Sequence, residues 1–288
     1  MCSSGMPYRL SPRCGFEGGL LRAFGKSGLG VLLVVALLLT ACSIKEDRSR
    51  CPCHLLLDVS EVSTEMFDSL NVALDEGRGK TRRFPLHLSL LPSGPVTVDV
   101  AKGRLLLNVC ALENGAVWLS SSENVMAIPP GEQCPPLFLH SAALNTDTEE
   151  LIERVALHKS FCSMNILMEG TAPSQPYPFA LQLKGDVDGY DGMGRPKEGA
   201  FSPYAYPTAD GHCTVRVPRQ KDDTLELLMC ENQTPLATFA LGEYLKAGGY
   251  DWTAPDLADV SVQIDCARLT LRIKIENWSE TYYFNVEI

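Results

Sequence analysis

Three carboxylates at near-alternate spacing make the first candidate for chemistry. Asp186, Asp188 and Asp191 lie among Gly189 and Gly192, and hard oxygen ligands interleaved with glycine are the material of a calcium loop. The pattern stops short of one. The twelfth position counted from Asp186 is Lys197 rather than a bidentate glutamate, and no helical spacing flanks the run. A turn-rich loop without metal is the expectation. The five histidines, His54, His87, His140, His158 and His212, show no metal-ligand spacing and neighbour no nucleophile motif. Cys51-Pro52-Cys53 lacks the two-residue gap of zinc and redox pairs. Neither a Gly-x-Ser-x-Gly elbow nor a phosphate-cradling glycine loop occurs. The chain is therefore expected to have no catalytic residue, cofactor or metal. A hydrolase would need a site assembled from distant residues.

Cys42 is the cysteine whose setting implies covalent chemistry. It follows Leu39-Thr40-Ala41 at the end of an apolar run over residues 28–39. Arg9, Arg13, Arg22 and Lys26 precede that run, with Glu17 the one acid. A basic lead, a short apolar stretch and small residues before a cut site make a secretory signal, too short for a confident membrane span. A cysteine directly after the cut makes it resemble a bacterial lipoprotein signal, in which that cysteine is acylated, with palmitate-type chains, on sulfur and amino group. The alternatives are an ordinary signal peptide and a signal anchor. Each buried methylene contributes roughly 0.8 kcal/mol, so several acyl chains anchor stably. Residues 43–50 are polar, charged and without periodicity, a flexible tether. Within them Lys45, Glu46 and Asp47 resemble a lysine-plus-acids export tag for the outer face of the outer membrane; a plain solvated linker is the other reading.

Composition narrows the partners. The chain has 25 basic and 35 acidic residues. Setting aside the four basic residues and one acid of residues 1–41 leaves 21 and 34, a net charge of −13. An acidic surface argues against nucleic acid, which selects clustered Lys and Arg. The 247 residues after position 41 suffice for two ordinary domains. Of eleven cysteines, eight remain once Cys2, Cys14 and Cys42 are set aside. A secretory compartment permits disulfides. Yet Cys162, Cys213, Cys230 and Cys266 lie inside alternating apolar segments, where cysteine acts as a small buried hydrophobe.

The elements that would carry these residues are strands. Leu55, Leu57 and Val59 alternate with polar or second-face positions, as do Val96, Val98 and Val100, and Leu105, Leu107 and Val109. Phe84, Leu86, Leu88 and Leu90 read as one further face. Cys162, Met164, Ile166 and Met168 restart the alternation in the second half, followed by Val260, Val262 and Ile264 and by Leu269, Leu271, Ile273 and Ile275. Tyr282, Phe284, Val286 and Ile288 close the chain. Such spacing gives an all-β sandwich architecture, one polar and one buried face per sheet. Residues 146–158 break the pattern: Leu151, Ile152, Val155 and Ala156 have helical spacing, and Thr146 or Thr148 can cap it. A short helix is expected there, joining a sandwich over residues 51–156 to a second over 157–288. Residues 185–207, rich in Gly, Asp, Tyr and Pro, read as a long loop. Tyr177, just before that region, and Tyr190, Tyr204 and Tyr206 within it form either a sugar-stacking platform or packing for the loop. Trp278 is expected to fill the end of the second core.

Taken in order, several segments resemble the FimB/Mfa-type fimbrial anchor family. They begin with the acylated cysteine, the charged tether and Cys51-Pro52 leading into Leu55-Leu56-Leu57-Asp58-Val59. They continue with residues 189–196, then Leu241-Gly242-Glu243-Tyr244-Leu245 and Gly249-Tyr250-Asp251-Trp252. Residues 257–265 and 273–278 complete the set. The resemblance implies two tandem transthyretin-like β-sandwich domains and a non-enzymatic lipoprotein of the outer membrane, exposed at the cell surface. Its partner would be a fimbrial (pilus) shaft subunit, its role in cell adhesion to anchor the fimbrium and end its assembly by strand exchange. Tyr282, Phe284, Val286 and Ile288 would be the strand offered to the partner, unless they complete their own sheet. A surface glycan-binding lipoprotein, using Tyr204 and Tyr206, is the competing reading.

Overall fold

Alternation in the sequence becomes strand pairing over most of the chain. The computed structural model describes residues 51–77, 79–91, 94–113, 126–169, 177, 179–265, 270–275 and 281–284. Cys42, Lys45, Glu46, Asp47, Cys266, Trp278, Val286 and Ile288 lie outside the described residues.

A first sandwich packs a three-stranded sheet against a five-stranded one. The small sheet has β1 (Cys53–Asp58) between β4 (Val96–Val100) and β8 (Glu150–Arg154). The larger runs β3 (Thr81–His87), β2 (Ser69–Asp75), β5 (Arg104–Leu112), β7 (Leu137–Asn145), β9 (His158–Lys159). Leu55, Leu57, Leu70, Leu74, Leu105 and Leu107 share one core and are essentially inaccessible. Burial of each such side chain contributes about 1.5–3 kcal/mol.

The second sandwich also packs two sheets face to face. One sheet runs β14 (His212–Pro218), β10 (Phe161–Glu169), β17 (Val260–Asp265), β18 (Thr270–Ile275), β19 (Thr281–Phe284). The other runs β12 (Pro196–Phe201), β11 (Ala180–Tyr190), β15 (Glu226–Glu231), β16 (Thr234–Phe239). Two short strands also pair with β11: β6 (Met126–Ala127) and β13 (Tyr204–Ala205). A helix of about two turns, α1 (Leu241–Ala247), drops Leu241 and Leu245 into this core.

Three expectations from the sequence are corrected. The joining helix over residues 146–158 is not there. Glu150–Arg154 is a strand that pairs in parallel with β1, Leu56 opposite Ile152. Leu151 and Val155 satisfy a helix period and a strand period equally well. The edge that β1 offers decides between them, and β-branched Ile152 suits the strand. Thr146 is fully buried and, instead of capping a helix, donates its hydroxyl to the carbonyls of Ala101 and Gly103.

The glycine-rich segment 185–207 is likewise no long loop but the β11–β12 hairpin with β13 behind it. Its glycines mark close approaches. A Cβ on Gly189 would meet the Met126 carbonyl at 2.0 Å, and one on Gly199 the Asp188 carboxylate at 2.0 Å. Finally, the face of Phe84 and Leu86 does not continue. The chain turns into a 3-10 turn over Leu88–Leu90, leaving Leu90 78% exposed.

Candidate strand-exchange surface

The first strand of the described chain occupies the middle of its sheet. β1 is antiparallel to β4, from Cys53 opposite Val100 to Leu57 opposite Val96, and parallel to β8, from His54 opposite Glu150 to Asp58 opposite Arg154. Its inward side chains Cys53, Leu55 and Leu57 are each 0% exposed. The alternation that puts these three on one face follows from the strand period of two. Both backbone edges of β1 are therefore used. Taking β1 away would leave β4 and β8 as banks of a channel floored by Leu70, Leu74, Leu105 and Leu107. That is the geometry an incoming strand fills by β-augmentation. The central position of β1 is not legible in the sequence, because the residues of its neighbour β8 also fit a helical period.

At the other end of the chain, β19 lies on the outer edge of its sheet, paired antiparallel to β18 with Leu271 opposite Phe284 and Ile273 opposite Tyr282. Among the described residues, β19 is paired on one backbone side. Tyr282 and Phe284 are thus placed on this strand.

A groove of about 560 Å³ runs over the outer face of β2, β3 and β5, floored by Asn71, Ala73, Asn108 and Cys110 and walled by Met126 and Met193. Its volume is within the range of ligand-sized clefts. Asn108 is 5% exposed and donates to Ser141 Oγ at 3.1 Å. Burial pushes the Cys110 thiol up to about 12, which disfavours the thiolate. Sequence reasoning did not find this groove. A polar Asn108 inside an otherwise apolar run, residues 105–111, was the one signal for it.

The acids of the glycine-rich segment are engaged separately. Asp186 accepts from Thr224 Oγ1 at 2.9 Å, Asp188 pairs with Lys197 at 3.1 Å, and Asp191 holds Arg195 at 2.7 Å. Partial burial would raise the Asp191 carboxyl, but the Arg195 side chain and the backbone N–H groups of Arg195 and Met193 outweigh it and hold the pKa low. Among the described residues, no three His, Cys, Asp or Glu gather as a metal site. His54 meets Asp99 at 2.6 Å, His140 meets Glu153 at 3.1 Å and His158 meets Asp256 at 3.1 Å.

The seven described cysteines, Cys51, Cys53, Cys110, Cys134, Cys162, Cys213 and Cys230, are free thiols. Cys162 and Cys230 are buried, as expected of small hydrophobes, and Cys213 is half-buried. Burial raises the Cys162 thiol to about 12 and that of Cys213 to about 11. The four tyrosines do not share one exposed surface. Tyr190 is 1% exposed, Tyr177 packs on the second core with its hydroxyl on the Met168 carbonyl at 2.6 Å, and Tyr206 is 73% exposed.

No family model matches the sequence, and no curated protein matches it significantly. Solved structures do share its fold. A Bacteroides thetaiotaomicron protein named as a candidate for polysaccharide binding superposes with a TM-score of 0.57 at 12% identity, over 81% of this chain and 98% of that one. A candidate adhesin from Bacteroides ovatus gives 0.54 at 12% identity, over 84% and 98%. The fimbrial anchor protein Mfa2 from Porphyromonas gingivalis gives 0.52 at 12% identity, over 81% of this chain and 100% of Mfa2. The chain shares its all-β sandwich fold with these solved structures.

Proposed function

We propose that this protein is an outer-membrane lipoprotein that holds a fimbrium at the cell surface and ends its growth. The observation that carries the reading is β1, seated between β4 and β8 with Cys53, Leu55 and Leu57 fully buried. A subunit that propagates a fibre by strand exchange must present an open channel. A subunit that keeps its own strand in that channel accepts nothing further. The covalent attachment of β1 makes this a strong block. A tethered strand competes at millimolar or higher effective concentration, whereas a donor arrives from solution. Residues 1–41 would be removed as the signal, Cys42 would carry the acyl chains, and residues 42–50 would span from membrane to β1. Lys45, Glu46 and Asp47 would direct the chain to the outer face. The partner would be a fimbrial shaft subunit, met through β19 and the residues following it, Tyr282, Phe284, Val286 and Ile288. The role is one of binding and assembly, without catalysis, cofactor or metal.

The fold likeness to Mfa2 and to a candidate adhesin supports this reading at the level of architecture. Deleting the gene should release fimbriae from cells, and supplying extra copies should shorten them. Fimbriae that remain attached at unchanged length would overturn the proposal. The groove favours a second reading, surface glycan binding. In that case Asn71→Ala with Asn108→Ala should abolish saturable binding of an oligosaccharide while fimbriae stay attached.

A further inference from the structure

The tip of the β11–β12 hairpin leaves its own sandwich and lies on the other one. Tyr190, the last residue of β11, is 1% exposed, and its ring clusters with Cys110, Leu137 and Leu139. Those three belong to β5 and β7, on the sheet face turned away from the first core. The Tyr190 hydroxyl donates to the Ser160 carbonyl and accepts from the Arg219 backbone N–H at 2.9 Å. Ser160 stands between β9 of the first sandwich and β10 of the second, and Arg219 follows β14. One side chain thus joins the outer face of the first sandwich, the connecting segment and the second sandwich.

The backbone repeats the link. β6, which follows the first sandwich's β5 in the chain, pairs with β11, Met126 opposite Tyr190 and Ala127 opposite Gly189. Ile128 N–H donates to the Asp188 carbonyl at 2.7 Å. The turn beyond Tyr190 is tied internally, since Asp191 accepts from the N–H groups of Met193 at 2.8 Å and Arg195 at 3.0 Å. That turn sets Gly194, with φ of 71°, against β7, where a Cβ would lie 2.5 Å from Ser141 Oγ.

We infer that this hairpin tip is a strap by which the second sandwich clasps the first, so that the two open as one cooperative unit. Without it, the remaining links would include residues 155–160, the bonds of Gln133 and Cys134 to Arg216 of β14, and the edge-to-face chain Phe67–Phe138–Phe161, with centroids 5.0 and 5.7 Å apart. If the proposed anchoring role holds, a pull on the distal sandwich passes through the strap to the tethered one. The coupling itself does not depend on that role.

Native-state hydrogen exchange on the full chain tests the inference, with the slowest amides of β2 and β5 reporting one sandwich and those of β10 and β17 the other. In the parent protein the two sets should open with the same equilibrium constant. Tyr190→Ala removes the ring from its cluster, and Gly194→Val places methyl groups against Ser141 at a strained φ. Either change should separate the two sets by about tenfold or more. Should Tyr190→Ala fail to fold, Gly194→Val decides alone, because its site is a surface turn. Two sets that already differ in the parent, or that still coincide in the folded Gly194→Val protein, overturn the strap. Neither result bears on fimbriae, so the anchoring proposal stands or falls separately.

Discussion

Truncating the buried face of β1 should release the strand and open the channel it fills. Leu55 and Leu57 are each 0% exposed between two packed sheets, and β1 is held by pairing on both sides. A site that cannot collapse gives the upper part of the usual cost, so Leu55→Ala and Leu57→Ala should each lose about 3–5 kcal/mol. The two side chains are neighbours on one strand face, so their costs need not add fully, but together they approach the 5–15 kcal/mol of a typical domain. Chemical denaturation of the single variants measures the first quantity. The double variant should then bind a synthetic peptide of residues 53–59 carrying both leucines, and regain the parent's denaturation midpoint. The parent should not bind it, because the channel is occupied. Single variants within about 0.5 kcal/mol of the parent would refute the packing argument. Equal peptide binding by parent and double variant would refute the occupied channel.

Cys42→Ser should abolish fatty-acid labelling and free the protein from membranes; continued labelling of the variant refutes acylation at this position. Deleting residues 281–288 removes an edge strand. A truncated protein that stays folded by circular dichroism should lose its hold on fimbriae, and normal anchoring by a folded truncation rules out donation of this strand. The low pKa of Asp191 adds stability that is complete above the ordinary carboxylate range of about 4 and is lost as pH falls through the depressed value. Thermal midpoints measured from about pH 6 down to about pH 3 should therefore fall more steeply for the parent than for Asp191→Asn, and parallel curves would show that the Asp191–Arg195 tie contributes nothing.

The strands with one clean buried face were legible because burial imposes period two on the residue types. Leu55 and Leu57, Leu105 and Leu107, and Val260, Val262 and Ile264 all turn inward as their alternation predicts. The segment around Leu151 to Val155 was not legible, since its apolar positions fit two periods and the deciding partner, β1, lies almost a hundred residues earlier. Gly189 and Gly199 misled for a related reason. Glycine serves a turn and a crowded strand equally, and only the neighbouring backbone tells them apart. Tyr190 gave no sign of its place between two sandwiches, because a tyrosine amid Asp and Gly has the composition of a loop. Asn108 was readable as an oddity in an apolar strand, but the groove above it is assembled from β2, β3 and a hairpin far away in sequence.

The central claim is that the chain at the base of the fimbrium keeps its first strand. Mass spectrometry of the protein co-purified with intact fimbriae from cells reads its amino terminus directly. The account predicts an acylated amino terminus at Cys42 continuous with residues 53–58 and shaft subunits in the same complex. An amino terminus beyond Asp58, or a preparation without shaft subunits, would contradict it.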